Sequence, residues 1–381
     1  MRRSTERILT THAGSLARPD DLRALLTAKD DGQPYDATRL AAHTRSAVAA
    51  VVRQQAAVGL DVVNDGEQSK RNFTTYARER LGGIEERVLE PGQRVLAQIY
   101  ARDAVEFPEY FAGRGNLAGR EAVCTGPLRY VGHHAVQADI ANFKAALTDV
   151  EVTETFLPAV APGTIEHWLH NEHYGSDEAY LAAVAEAMKV EYDAIIAAGF
   201  LLQIDDPDLA DAWQIHPAMS VPEYRRFAGL RIEALNHALR DIAPERVRFH
   251  VCWGSYHGPH KYDIPLRDLT DLILAVHAQG YSIEASNPRH DHEWQVWKGV
   301  KLPEGRILIP GVVGHASDFV EHPELVAERI AKYARVAGRE NVIAGTDCGL
   351  GPRVGHPRIA WAKFEALVDG ARLATKQLWS H

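Results

Sequence analysis

Ala197-Ala198-Gly199-Phe200-Leu201-Leu202-Gln203-Ile204-Asp205-Asp206-Pro207 is the stretch on which the fold turns. It reads as a helix end, a glycine stop, a short apolar strand and a pair of acids closed by proline. The same order stands upstream, where Ala57-Val58-Gly59 runs into Asp61-Val62-Val63-Asn64-Asp65-Gly66-Glu67. A short apolar run between turn signals is a strand buried on both faces, as in parallel sheets. Two such units predict an α/β chain whose parallel strands end in acids. In a closed barrel those ends form the C-terminal mouth, where active sites sit.

Working outward, apolar β-branched runs alternate with helical patterns along most of the chain. Barrel strands are predicted near Ile8–Ala13, Asp61–Asp65, Phe156–Val160, Phe200–Asp205, Val247–Cys252, Tyr281–Glu284, Ile307–Val313 and Val342–Asp347, eight in all. One helix should run from an Asp36 cap to Gly59. Another should start after Ser176, carry Asp177 and Glu178 in its first turn, and stop at Gly199. The expected fold is therefore a (β/α)8 TIM barrel, a single catalytic domain over residues 1–381. Residues from about 85 to 136 fit the alternation poorly, and Glu106 to Arg120 is rich in Gly, Pro and aromatics. This span reads as an inserted arm or hairpin after the second strand, with Glu121–Cys124 as a strand outside the barrel. It offers a surface for a homo-oligomer.

Composition narrows the function classes. With 42 Lys and Arg against 51 Asp and Glu, the net charge of −9 leaves no basic stripe for nucleic acid. Met1 to Thr11 carries Arg2, Arg3 and Arg7 without the apolar core of a secretory signal. No run of about 18 apolar residues predicts a membrane span. The 3 cysteines, Cys124, Cys252 and Cys348, are too few for a disulfide framework and suit thiols or metal ligands in the cytoplasm.

The most specific constellation is spread over three strand ends. His250-Val251-Cys252 ends the fifth strand, and alternate strand residues share a face. Glu284 ends the sixth strand, and Cys348 follows the eighth. One imidazole, two thiolates and one carboxylate form a tetrahedral ligand set for Zn2+. A His-x-Cys pair by itself is more often packed in a core than bound to metal. The joint placement at a barrel mouth is what points to a site.

The matching stretches Ala13-Gly14-Ser15, Asp65-Gly66-Glu67, Gln203-Ile204-Asp205-Asp206-Pro207, His250-Val251-Cys252, Ser282-Ile283-Glu284 and Asp347-Cys348-Gly349 occur in one order along the chain. In that order the chain resembles the catalytic barrel of cobalamin-independent methionine synthases, in the short form without an N-terminal barrel. The resemblance implies that His250, Cys252, Glu284 and Cys348 hold zinc. It implies a cytoplasmic S-methyltransferase of methionine biosynthesis, in which a zinc-bound homocysteine thiolate attacks a methyl donor. It further implies that Glu67 and Asp205 hold the substrate ammonium, a job that suits paired carboxylates. On the same ground the loop carrying Ser15 receives the carboxylate, and His315 protonates the leaving group. A free thiol has a pKa near ~8.5, so a bound metal is needed to make thiolate at neutral pH.

Other readings stay open. The donor is methyltetrahydrofolate or a methyl-corrinoid protein. Pro162 to His170 replaces the family stretch that carries a folate-stacking Trp, so Trp168 either stacks on a pterin or packs in a loop. An epoxide-opening alkyltransferase of the coenzyme M type needs a cation for its sulfonate, and Arg18, Lys70, Arg71 and Arg353 are the candidates. A metallohydrolase would want a His-rich open site, for which His290 and His292 are the only support. His290-Asp291-His292 and His170-x-x-His173 read as solvated loops. Gly349-x-Gly351 lacks the full dinucleotide fingerprint.

Overall fold

The computed structural model describes residues 1–89, 96–112, 120–351 and 353–380. Eight parallel barrel strands lie at Leu9–Thr10 (β1), Val62–Val63 (β2), Glu154–Val160 (β3), Leu201–Asp205 (β4), Val247–Val251 (β5), Gly280–Ile283 (β6), Ile307–Val313 (β7) and Ile343–Thr346 (β8). From β2 to β8 each strand pairs with the next in sequence, and β8 pairs back onto β1. Between β1 and β2 the Asp61 N–H donates to the Thr10 carbonyl at 3.1 Å, which nearly closes the ring. All eight predicted strands are present, so the fold is the expected (β/α)8 barrel.

The helices start where local chemistry says they should. Asp36 accepts from the Arg39 N–H at 2.9 Å and opens helix Ala37–Val58, whose buried Val48, Val51 and Val52 join the main core while Ala47 packs with Leu22 and Leu26. Ser176 caps helix Asp177–Ala197 in the same way. Each helix hands the chain to a strand that ends in acids, β2 before Asp65 and Glu67, β4 at Asp205. No helix among the described residues is long and apolar enough to cross a membrane.

The barrel interior is not wholly apolar. Arg248 on β5 is fully buried and reaches across to β1, donating to Thr11 Oγ1 and to the His12 carbonyl, both at 2.9 Å. Its guanidinium also lies 4.1 Å from the centre of the Phe156 ring. A charge buried in this way is tolerated because its donors are placed on oxygens and its face on a π cloud.

Between β2 and β3 the chain leaves the barrel. Strand Leu81–Val88 pairs antiparallel with Arg120–Tyr130, and Leu169–Asn171 adds a third strand. Three short helices, Leu96–Ile99, Ala101–Glu106 and Pro108–Phe111, lie between the first two strands. Residues 90–95 and 113–119 of this segment lie outside the described residues. The helical part folds over the mouth. Ile99, Tyr100 and Phe111 form an apolar cluster with Tyr256 from the loop after β5. Arg102 donates to the carbonyls of Trp213, His216 and Met219, and Asp103 accepts from the Tyr256 hydroxyl at 2.6 Å.

Candidate active site

Strand register builds the centre. Asp205 on β4 is paired with His250 on β5, and His250 with Ser282 on β6. Paired residues of parallel strands point to the same side, so these three form one row at the mouth. Cys252 lies two residues beyond His250 on that face, and Cys348 enters from the turn after β8. The ligand atoms of His250, Cys252 and Cys348 all lie within 4.8 Å of one another. The two sulfurs are 3.8 Å apart. Two thiolates on one tetrahedral zinc, at ~2.3 Å each, are separated by about that distance.

His250 adds a second sign of fit. Its Nδ1 faces the Ser282 hydroxyl at 3.3 Å, while Nε2 is buried without a hydrogen-bond partner and faces the Cys348 sulfur. A ring nitrogen oriented by its partner nitrogen and left bare beside two sulfurs is set up for a metal. Of the thiols, Cys348 ionises first, because Cys252 donates to its sulfur and His250 and His315 stand beside it. The residues therefore fit a soft divalent ion.

Glu284 is held beside this trio, not in it. Its carboxylate accepts from the Trp253 N–H at 2.8 Å and from Asn287 Nδ2 at 2.9 Å. Its ligand oxygen groups with His315 and Asp347 within 4.8 Å. His315 is 1% exposed, and both of its ring nitrogens lack partners. Asp347 ties β8 to the end of β6, accepting from the Ala285 and Ser286 N–H groups and the Ser286 hydroxyl. Burial pushes its carboxyl up to about 7, and the Glu284 charge acts in the same direction. The two triads adjoin: His315 acts on the Cys348 thiol and Glu284 on that of Cys252.

Glu67 and Asp205 flank it. Glu67 adopts a left-handed backbone, φ 55, which is uncommon for a residue with a Cβ and marks a constrained turn. Its carboxylate lies against Gly14: a Cβ there would stand 2.6 Å from Glu67 Oε1, and φ at Gly14 is +138. Only glycine meets both conditions. Burial raises the Glu67 carboxyl, with Lys70 and Arg18 opposing. Burial also pushes Asp205 up to about 7; His250 opposes this, and Glu67 and Cys348 add to it. Both acids thus sense the Cys348 sulfur. Ser15 is half-buried in the adjoining loop, and its carbonyl accepts from the Gly351 N–H at 3.0 Å. A Cβ at Gly349 would stand 2.8 Å from Ser15 Cβ, and one at Gly351 2.5 Å from the Leu16 carbonyl carbon. The Gly349-x-Gly351 pair therefore serves close packing of two mouth loops.

Trp168 ends helix Pro162–Trp168 at the rim. Its indole N–H donates to Asp208 Oδ2 at 3.2 Å, and its half-buried ring packs on the Tyr100 and Tyr256 cluster. Two rim residues, Tyr100 and Asp211, escaped sequence reasoning. Tyr100 stacks on Tyr256 at 3.5 Å, a pairing between an irregular arm and a distant loop. Asp211 presses its carboxylate on Gly254, and its Oδ1 is buried without a partner. Burial, then Asp208, Asp263 and Glu284, hold its pKa well above the carboxylate range. The spacing Asp208-x-x-Asp211 on one helix was the available signal.

The expected solvated reading holds for exposed His292, His170 and His173 but fails for His290. His290 is 2% exposed, stacks on Trp253 at 4.0 Å, and shares its nitrogens between Asp263 and Glu293. Its pKa is raised to about 10, burial being outweighed by those two carboxylates. It props the loop that carries Trp253 and offers no free nitrogen to a metal.

Comparison with known proteins agrees with this geometry. The family model described as "Cobalamin-independent synthase, Catalytic domain" matches residues 120–372. A methionine synthase of Thermococcus kodakarensis is 25% identical over 373 residues, covering 97% of this chain and 94% of the relative. A 2-hydroxypropyl-CoM lyase of Xanthobacter autotrophicus is 24% identical over 400 residues, covering 97% and 96%. The solved structure of a B12-independent methionine synthase from Shewanella sp. W3-18-1, in complex with selenomethionine, superposes with a TM-score of 0.74 at 20% identity, covering 98% and 99%. That likeness speaks for the fold.

Proposed function

Because the chain belongs to the cobalamin-independent synthase catalytic-domain family, we propose that it is a zinc-dependent thiol methyltransferase that converts homocysteine to methionine. The observation that carries this is the meeting of a His-Cys-Cys centre with two carboxylates, Asp205 paired with His250 and buried Glu67 held against Gly14. Two thiolates and an imidazole select zinc over harder ions. His250, Cys252 and Cys348 would hold it, with Glu284 as the fourth ligand once its carboxylate leaves the Trp253 N–H. Zinc in that position supplies the positive charge that makes a substrate thiol into a nucleophile at neutral pH.

The protein's own residues do the rest. Glu67 and Asp205 take the ammonium through charge-assisted hydrogen bonds. The Gly14 and Ser15 loop receives the carboxylate, so the sulfur end is turned toward the sulfurs of Cys252 and Cys348. His315, bare at both nitrogens, would give a proton to the departing group. Trp168, Tyr100 and Asp211 form the rim that a donor meets, whether methyltetrahydrofolate or a methyl-corrinoid protein. Similarity to a 2-hydroxypropyl-CoM lyase over nearly the whole chain favours a second reading, thiol addition to an epoxide. That substrate has no ammonium for Glu67 and Asp205.

The pair of acids decides between them. Glu67→Gln and Asp205→Asn keep shape and remove charge. Each is expected to raise the half-saturating homocysteine concentration on the order of 10- to 100-fold, since a charged hydrogen bond is worth about 1.5–3 kcal/mol. Metal content should not move. Unaltered homocysteine saturation in both variants, with coenzyme M accepted as substrate, would replace the amino-acid thiol by a sulfonate thiol.

A further inference from the structure

Resting on the thiol-transfer reading above, we infer that Arg18, on the same connection as Gly14 and Ser15, is a further residue that binds the acidic end of the thiol substrate, carboxylate or sulfonate. Four cations near the mouth were candidates by sequence, and the structure separates them. Arg71 pairs with Asp30 and Asp31 on the outer surface. Lys70 donates to the Pro158 carbonyl at 2.7 Å and lies over the Tyr76 ring at 4.3 Å. Arg353 is exposed on the turn after β8. Arg18 differs from all three. Its Nη2 donates to the Glu67 carbonyl at 2.6 Å, which fixes the guanidinium, while its Nε is buried with no partner. A buried N–H left bare is costly, and a ligand oxygen is the acceptor it lacks.

Position agrees with this. The charges that act on Arg18 are Glu67 first and then Asp65. Glu67 in turn rests on Gly14, next to Ser15. In an α-amino acid the ammonium and carboxylate share one carbon, so the anchor for the second must adjoin the anchor for the first. Arg18 adjoins Glu67. A planar guanidinium with donors along one edge matches either oxyacid in a bidentate fashion, which a lysine cannot do. For a sulfonate thiol, which has no ammonium, Arg18 would be the main hold.

The test is binding of three thiols to the zinc-loaded protein by calorimetry. Homocysteine carries thiol, ammonium and carboxylate; 3-aminopropane-1-thiol lacks only the carboxylate; 2-mercaptoethanesulfonate carries the sulfonate. Arg18→Gln is expected to weaken homocysteine on the order of 10- to 100-fold and to leave the aminothiol within about twofold. Arg18→Lys should keep part of the homocysteine affinity. A loss confined to 2-mercaptoethanesulfonate, which wild type would then bind more tightly than homocysteine, keeps Arg18 and names the sulfonate. Equal losses for homocysteine and the aminothiol, or no loss for any thiol, would overturn the role of Arg18 alone. Failure of wild type to bind any of the three would remove the thiol-transfer reading and Arg18 with it.

Discussion

Cys348→Ser is expected to lose most of its bound metal while the barrel stays folded. The sulfur of Cys348 sits 3.8 Å from that of Cys252 and faces the bare Nε2 of His250, so its removal breaks the trio at its centre. A serine hydroxyl at this place is a harder, weakly acidic donor and does not replace a thiolate on zinc. The fold should survive because Cys348 lies on a turn after β8, while the barrel interior is packed by strand residues such as Leu9, Ile307, Ile309 and Ile343. Cys252→Ser should behave alike. Metal analysis beside far-ultraviolet circular dichroism checks both halves. Full zinc occupancy in folded Cys348→Ser would remove Cys348 from the ligand set.

The second large effect belongs to His315. Its ring is buried beside Glu284 and Asp347 with neither nitrogen engaged. Expelling a folate amine requires a proton at nitrogen, and opening an epoxide requires one at oxygen. Nothing in the proposed metal centre supplies that proton. His315→Asn keeps the polarity and removes the acid, so thiol binding and metal content should stay while turnover falls by about 10²–10⁴-fold. The loss should shrink with a methyl-corrinoid, whose leaving group needs no proton. Wild-type turnover with a folate donor would assign the proton to another group, of which Asp347 lies beside His315.

Much of this site could be read before the structure. Glycine stops followed by apolar runs and acids located the strands, and a parallel barrel sends strand ends to one mouth. His250 and Cys252 could be placed on one face by alternation alone. Register could not be read: that Asp205 stands beside His250 depends on how two strands slide, which side-chain period leaves open. The hydrogen bond that holds Glu284 back comes from a backbone N–H, which carries no residue code. His290 misled because polar neighbours suggest solvent, whereas Trp253 covers the ring and Asp263 and Glu293 satisfy it. Tyr100 and Asp211 were missed for a related reason. One sits in an irregular arm whose docking partner, Tyr256, is far away in sequence, and the other looked like an ordinary helical surface acid.

The central claim is that a thiol substrate binds directly to the metal held by His250, Cys252 and Cys348. Cobalt substituted for zinc reports this, because a new sulfur ligand adds a thiolate-to-cobalt absorption band. Titration of the cobalt protein with homocysteine should raise that band in saturable fashion to one further thiolate per metal. It should do so with lower affinity in Glu67→Gln. A spectrum that stays unchanged at saturating homocysteine and 2-mercaptoethanesulfonate would mean a closed, structural metal site and would contradict thiol transfer.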